Sequence, residues 1–180
     1  MILETERLIL RGWRDDDAAS LFKYAKDERI GFWAGWLPHS NERYSRAVIR
    51  TVLCKKETFA ICLKGTDDPI GSIGLTLSGS DQSPLLEHEA ELGYWVGVPF
   101  WGRGIATEAA KEMLRHGFED LELRQIYCGY FQGNNRSKNV QQKCGFKFHH
   151  TNEKSQVIML DETRVEHINS ISAEDWRRRM

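Results

Sequence analysis

Nowhere in its 180 residues does the chain hold a run approaching the ~20 consecutive apolar residues that a membrane-spanning helix needs. Its opening, MILETERLILRGW, has no basic segment leading into an apolar core of signal length. No membrane partner is therefore expected, and the expected location is cytoplasmic. An excess of charge of either sign is also missing. Lys and Arg total 25 against 26 Asp and Glu, for a net charge of -1, with no long single-sign block. That excludes the electrostatic footprint of a nucleic-acid binder. Cysteine is scarce: Cys54, Cys62, Cys128 and Cys144 form neither a CxxC nor a zinc spacing, and each sits among apolar neighbours, so buried free thiols are expected and no metal. His149 and His150 are adjacent but lack a third ligand at useful spacing. Only four prolines occur, no Ser/Gly/Pro linker divides the chain and no repeat is found, which predicts one domain over residues 1–180.

What is present reads as a chain able to bury a core, 41% hydrophobic and 28% charged. RLILRGW (7–13) predicts a strand. Asp15, Asp16 and Asp17 then favour the start of a helix running to about Lys26, so these acids read as structural. A second helix is expected from about Asn41 to Lys55. TFAICL (58–63) and IGSIGLTL (70–77), separated by turn residues, predict a hairpin, and EHEAELGYWV (87–96) continues the sheet. Further strands are expected at 125–131, at FKFHH (146–150), at VIML (157–160) and at TRVEHINSI, followed by a short helix in AEDWRRR. Strands interleaved with helices predict an α/β fold whose mixed sheet is largely antiparallel.

One stretch carries chemistry. In YWVGVPFWGRGIATEAA (94–110), a strand passes through Pro99 and three glycines into a helix. Ala106, Ala109, Ala110, Met113, Leu114, Gly117 and Phe118 form its apolar face. Glu108, Lys111, Glu112 and Arg115 fall on the opposite, solvated side. The first N–H groups of a helix have no partner inside it, so they make an anion site. Gly102 and Gly104 clear the approach to it, and Arg103 offers a cation. A Walker loop, GxxxxGK[ST], is absent, and the dinucleotide pattern GxGxxG/A fails because Thr107 holds its last position.

With these residues in view, the chain resembles the GNAT superfamily of N-acetyltransferases. That family's pyrophosphate motif is [RQ]xxGx[GA], and WGRGIA (101–106) matches its last half, with Trp101 in place of Arg or Gln. YWVGVPFWGRGIATEA looks like the branch that acetylates the N-termini of ribosomal proteins, where WGxGxATEA is habitual. ETERLILRGWRDDDA (4–18) is similar to that branch's opening strand and helix, with Gly12 where proline is frequent. PIGSIGL (69–75) is similar to its third strand and NNRSKNVQQKCGF (134–146) to its closing helix. The resemblance implies a GNAT-like fold binding acetyl-coenzyme A, with Val96, Val98, Gly102, Arg103, Gly104, Ile105, Ala106, Thr107 and Asn134 holding the coenzyme.

Transfer of an acetyl group to an amine needs that amine neutral, although a chain N-terminus has a pKa of ~8 and lysine ~10, so a base is required. On EAELGYWV, period two places Glu89, Glu91, Gly93, Trp95 and Gly97 on one face and Ala90, Leu92, Tyr94 and Val96 on the other. The resemblance makes Glu91 the expected base, with Glu89 and His88 as nearby alternatives. A sheet acid can equally be a solvated one. The tyrosine that many relatives use to protonate the leaving thiolate is replaced by Gln141, and the branch resemblance points instead to Ser137, which a helix-start role would also explain. A backbone N–H near Val96, freed by a bulge at Gly97, is the expected oxyanion donor. Trp33, Trp36 and His39, expected on a loop over residues 30–41, and Trp95 would border the acceptor. The acceptor partner is expected to be a protein N-terminal amine, the alternatives being a small amine or a non-catalytic acyl-coenzyme A-binding module. Monomer and homodimer are both compatible with the sequence.

Overall fold

The computed structural model describes residues 1–79 and 85–179. Eight strands form one sheet in the order β1-β2-β3-β4-β5-β6-β8-β7. They are β1 (Ile2–Glu4), β2 (Leu8–Arg11), β3 (Thr58–Leu63), β4 (Pro69–Leu77), β5 (Glu89–Val96), β6 (Gln125–Phe131), β7 (Lys147–Val157) and β8 (Glu162–Ser172). Every neighbouring pair is antiparallel except β5 and β6, which run parallel. The mixed, largely antiparallel α/β sheet is therefore present. The β3–β4 hairpin forms with Phe59 opposite Ile73. PIGSIGL lies in the fourth strand, because the short β1 precedes the first strand expected from sequence.

The helices are α1 (Ala18–Ala25), α2 (Glu28–Ala34), α3 (Glu42–Val48), α4 (Ile105–Arg115), α5 (Asn135–Cys144) and α6 (Ala173–Arg177). On one face of the sheet, Leu10, Ile61, Ile73, Leu92 and Ile126 pack with Ala109, Ala110, Met113 and Leu114 of α4 in the main core. A second cluster joins Ala18, Leu21 and Ala25 of α1 to Ile49, with Trp13, Trp36 and Trp95 packed against it. Trp95 faces that second cluster while Ala90 and Leu92 are buried in the first, so the period-two reading of β5 holds. The two helical layers cover opposite sides of the same strand.

Asp15–Asp17 make a 3-10 turn ahead of α1, and their structural reading fits what they touch. Asp17 takes both terminal nitrogens of the buried Arg11 at 2.8 Å each and caps the Arg14 N–H at 2.8 Å, while Asp15 pairs with Arg50. Arg11 is held in its charged form by Asp17, against the cost of burial, and by Asp67. All its donors are used: Nε and Nη2 also reach the Asp67 side chain and carbonyl, at 2.7 and 2.6 Å, and Nη1 the Gly12 carbonyl at 3.1 Å. A buried guanidinium is tolerated on such terms only.

Four expectations need correction. Residues 28–34 are helical, because Asp27 caps the Arg29 N–H at 3.0 Å and Gly35 takes the left-handed conformation that ends α2. The first part of the expected loop, residues 30–34, is thus helix and carries Trp33, while residues 35–41 with Trp36 and His39 are the loop expected. VIML forms no strand of its own: Val157 ends β7, and Ile158–Leu160 make a 3-10 turn into β8. Cys54 is exposed, whereas Cys62, Cys128 and Cys144 are buried, all four as free thiols. The outer face of α4 is only partly solvated: Glu108 accepts from Thr5 Oγ1 at 2.5 Å and Arg7 Nε at 2.6 Å, and Arg115 pairs with Glu112, Glu119 and Asp120.

Candidate active site

The parallel contact of β5 with β6 is short. Glu89 faces Gln125, Ala90 faces Ile126 and Glu91 faces Tyr127, and there it stops. Beyond that point β5 stays on β4, with Val96 opposite Gly71, while β6 stays on β8, with Phe131 opposite Glu166. The sheet therefore forks at Glu91, and a cleft of about 480 Å³ fills the opening. Its walls are residues 91–96 of β5 and 128–131 of β6, with the starts of α4 and α5 at the mouth.

The backbone edge of β5 faces into this opening. Gly97 N–H donates to the Ile70 carbonyl at 2.7 Å. In an antiparallel ladder successive residues point to opposite sides, so Val96 N–H and C=O point away from β4, toward the departed β6. Trp101 Nε1 donates to that Val96 carbonyl at 2.7 Å. The expected bulge is absent: β4 and β5 pair in continuous register through this end. Divergence of two strands exposes Val96, and glycine at 97 serves a different need, since a Cβ there would lie 2.8 Å from the Tyr24 ring.

At the mouth, Gly102 and Gly104 have φ of 74 and 78°, the left-handed region open to glycine at little cost. They turn the chain so that α4 begins at Ile105 with its free N–H groups toward the cleft. Arg7 braces the turn, its Nη1 donating to the Arg103 carbonyl at 3.1 Å while the same guanidinium pairs with Glu108. Burial alone would raise the Glu108 carboxyl, yet the bonds from Thr5 and Arg7 outweigh it and hold the group below its ordinary value.

Of the residues expected to hold the coenzyme, Val96, Gly102, Gly104, Ile105, Ala106, Thr107 and Asn134 line the cleft. Val98 and Arg103 do not. Val98 lies in the 3-10 turn after β5, and the Arg103 guanidinium sits over the Phe100 ring, 5.8 Å from its centroid. The cations on the wall are Arg136 and Lys143, from α5. Arg136 lies 3.8 Å from the centroid of Trp101, so the residue that departs from the [RQ] pattern becomes a shelf for a guanidinium. Nothing local marks Arg136 in sequence; its pairing with Trp101 spans two elements.

On the side of the sheet facing α1, the wall comprises Glu91, Trp33, Trp36 and Trp95, with Trp36 against Trp95 edge-on at 6.0 Å. His39 is not part of it. Its ring is buried, with Nδ1 2.8 Å from Ser45 Oγ, and burial lowers its pKa. Glu89 is also engaged elsewhere, by Tyr127 O–H and by the Leu86 N–H. Glu166 on β8 joins the wall opposite Glu91, in space that a side chain at Gly129 would fill, since a Cβ there would meet Glu166 Oε1 at 2.5 Å. Burial first, and the Glu166 charge second, push the Glu91 carboxyl above its ordinary value. A carboxylate so shifted is a better proton acceptor.

On the opposite side, toward α4 and α5, Asn134 Oδ1 accepts from the Ser137 N–H at 3.2 Å and caps α5. Ser137 Oγ is 2.9 Å from Tyr94 O–H and 3.2 Å from Gln141 Nε2. Tyr94, on the β5 face opposite Glu91, is thus bonded to the candidate acid, and burial pushes its pKa well up. Cys128 borders the cleft as well, but burial holds its thiol well above the usual range.

This mixed sheet, opened at its one parallel pair, is the fold that solved acetyltransferases share. Residues 7–147 match the family described as the acetyltransferase (GNAT) domain, and the chain belongs to that family. It is 30% identical over 129 residues to p20 of Bacillus licheniformis, an N-acetyltransferase by name, covering 69% of this chain and 70% of that one. YdaF of Bacillus subtilis, named provisionally as a ribosomal N-acetyltransferase, is 35% identical over 72 residues, 40% of this chain and 38% of that one. A GNAT-family acetyltransferase of Bacillus anthracis superposes with a TM-score of 0.83 at 22% identity, covering 97% of this chain and 99% of that one. The protein is an acetyl-coenzyme A-dependent N-acetyltransferase.

Proposed function

We propose that this enzyme passes the acetyl group directly to a protein N-terminal amine, both substrates being bound at once. The observation that carries this reading is that Glu91 and Ser137 belong to opposite faces of the forked sheet, and only the gap between β5 and β6 joins them. A thioester carbonyl set in that gap is reached by an amine from the Trp33, Trp36 and Trp95 side, while its sulfur lies toward Ser137. Acetyl-coenzyme A brings the activated thioester. Residues 102–106, with Arg136 and Lys143, are suited to its pyrophosphate, and the β5 edge to its pantetheine arm.

In this reading the acceptor ammonium gives its first proton to water, the neutral amine attacks, and Glu91, directly or through water, takes the second proton from nitrogen as its bond to carbon forms and passes it to solvent on product release. Val96 N–H donates to the oxygen that becomes negative as the nitrogen–carbon bond forms. The carbon–sulfur bond then breaks with its electron pair on sulfur, and Ser137 O–H donates a hydrogen bond to that sulfur until it takes a proton from water on release. Direct transfer is favoured over a cysteinyl intermediate because Cys128, beside the cleft, stays a thiol at neutral pH, and thiolate is the nucleophile. The N-terminal acceptor takes its support from the WGxGxATEA form and from the likeness to YdaF. The paired acids Glu91 and Glu166 favour a small cationic amine as the second reading.

The test presents the protein with acetyl-coenzyme A and either peptides differing in their first residue or a set of small amines, following thiol release and product mass. Peptide-dependent thiol release with a single N-terminal acetyl is the expected result. Release with small amines alone overturns the acceptor, and coenzyme binding with no acceptor-dependent release reduces the protein to a binding module.

A further inference from the structure

The cleft leaves one buried polar group unused. Gln141 is 1% exposed and stands on α5 one turn after Ser137. Its Nε2 is 3.0 Å from the Gly129 carbonyl and 3.2 Å from Ser137 Oγ, and its Oε1 is 2.8 Å from Nδ2 of the buried Asn169. The orientation of the amide is determined by these neighbours: a carbonyl such as that of Gly129 can only accept, so the nitrogen must face it. The same nitrogen then has its second hydrogen for Ser137. Asn169 holds the far end, tying β8 through α5 to the gap.

A serine hydroxyl has one hydrogen to give and two lone pairs. Gln141 Nε2 has nothing to accept with, so one lone pair of Ser137 Oγ is filled by it. The second neighbour, Tyr94 O–H, is 2.9 Å from Oγ, a distance at which either hydroxyl can donate, and 3.3 Å from the Ser137 carbonyl, which can only accept. Burial keeps that phenol protonated, so it has a hydrogen to give. When Tyr94 gives it to Oγ, both lone pairs of Ser137 are taken and its one hydrogen is left for the cleft.

We propose that Gln141 and Tyr94 are positioning residues that fill the acceptor sites of Ser137 Oγ and so aim its hydroxyl hydrogen at the departing sulfur. Neither gives up a proton in the reaction. This deepens the acetyl-transfer reading above and rests on it. It also accounts for a glutamine where the resemblance leads one to expect an acid: the amide orders a hydroxyl where a tyrosine would itself reach the sulfur.

The experiment compares steady-state kinetics of Gln141→Glu, Tyr94→Phe and Ser137→Ala, singly and with Ser137→Ala as background, on a peptide acceptor. Thermal melting checks that each variant folds. A carboxylate at 141 still accepts from Asn169 but has no hydrogen for Ser137. We expect kcat to fall about ten-fold in Gln141→Glu with KM for acetyl-coenzyme A nearly unchanged. Tyr94→Phe, which keeps the ring in the core, should lower kcat several-fold. Neither change should lower kcat further once Ser137 is alanine. Full losses repeated in the Ser137→Ala background, or an unchanged kcat in both single variants, would overturn the positioning role while leaving acetyl transfer intact. Absence of acceptor-dependent thiol release by the unaltered protein would overturn the transfer reading itself.

Discussion

Glu91 is exposed at the open fork of the sheet, with Glu166 across the gap, and the desolvating walls of the cleft first and the second charge next favour its protonated form. A base works only when ionised. The acid limb of kcat/KM against pH should therefore have its midpoint above the ordinary glutamate value of ~4.3. Glu166→Gln removes the like charge, which lowers the Glu91 pKa, so that midpoint should move to lower pH. Glu91→Gln should lower kcat about 100-fold, with the coenzyme still bound, and abolish the limb. Recording the profile for all three proteins settles the matter; a limb that stays in place in both variants belongs to another group. Glu91 was legible in sequence through the family resemblance, on a face of β5 that alternation also gives to glycine and tryptophan. Glu166 was not, since it lies 75 residues further on, and only the pairing of β8 with β6 and the empty place at Gly129 bring it across the cleft.

At the scale of elements, the turn into α4 is where sequence pattern and geometry agree most closely. Two glycines at positive φ precede an eleven-residue helix whose buried residues repeat at three and four. Added bulk would meet little there: a Cβ on Gly102 has nothing within 4 Å, and one on Gly104 meets only Arg7 Nη2 at 3.4 Å. The cost of a side chain is therefore conformational, about 1–2 kcal/mol for an L-residue held left-handed. Gly104→Val should lower stability by about that amount. It should weaken coenzyme binding further, because a branched side chain also stands between phosphate and the helix N–H groups. Denaturant unfolding and calorimetry on the same variant separate the two, and affinity equal to that of the unaltered protein would sink the phosphate reading. The stretch over residues 28–34 shows the opposite case. Its N-cap Asp27 and its terminating Gly35 were both visible as letters, but the density of Gly, Pro and Trp downstream reads as loop, and only seven residues lie between the helix signals.

For the molecule as a whole, the thiols report how tightly the two helical layers close over the sheet. Burial pushes Cys62 and Cys144 up to about 11 and Cys128 well above its ordinary value, whereas Cys54 is exposed at the end of the wide turn after α3. A disulfide reagent at neutral pH should therefore modify one thiol of four quickly and the rest only on unfolding; a second fast thiol would mean that the layers part in solution. From sequence all four looked alike, because apolar neighbours in the chain do not tell which face of an element meets solvent. Much else was local and hence readable. Alternation defined the faces of β5, apolar spacing defined α4, and the glycine turn between them announced an anion site, since each depends on residues within a few positions of one another. The active site as a place was not readable. It exists because β5 and β6 pair at three positions and then follow different neighbours, a choice made by β4 and β8 from distant parts of the chain. The sequence alone thus determined which residues were available for acyl transfer. Only the tertiary structure decided that Val98, Arg103 and His39 stand outside the cleft while Arg136, Glu166 and Tyr94 line it and Gln141 backs it through Ser137, because contacts between remote segments, unlike periodicity, leave no mark on neighbouring letters.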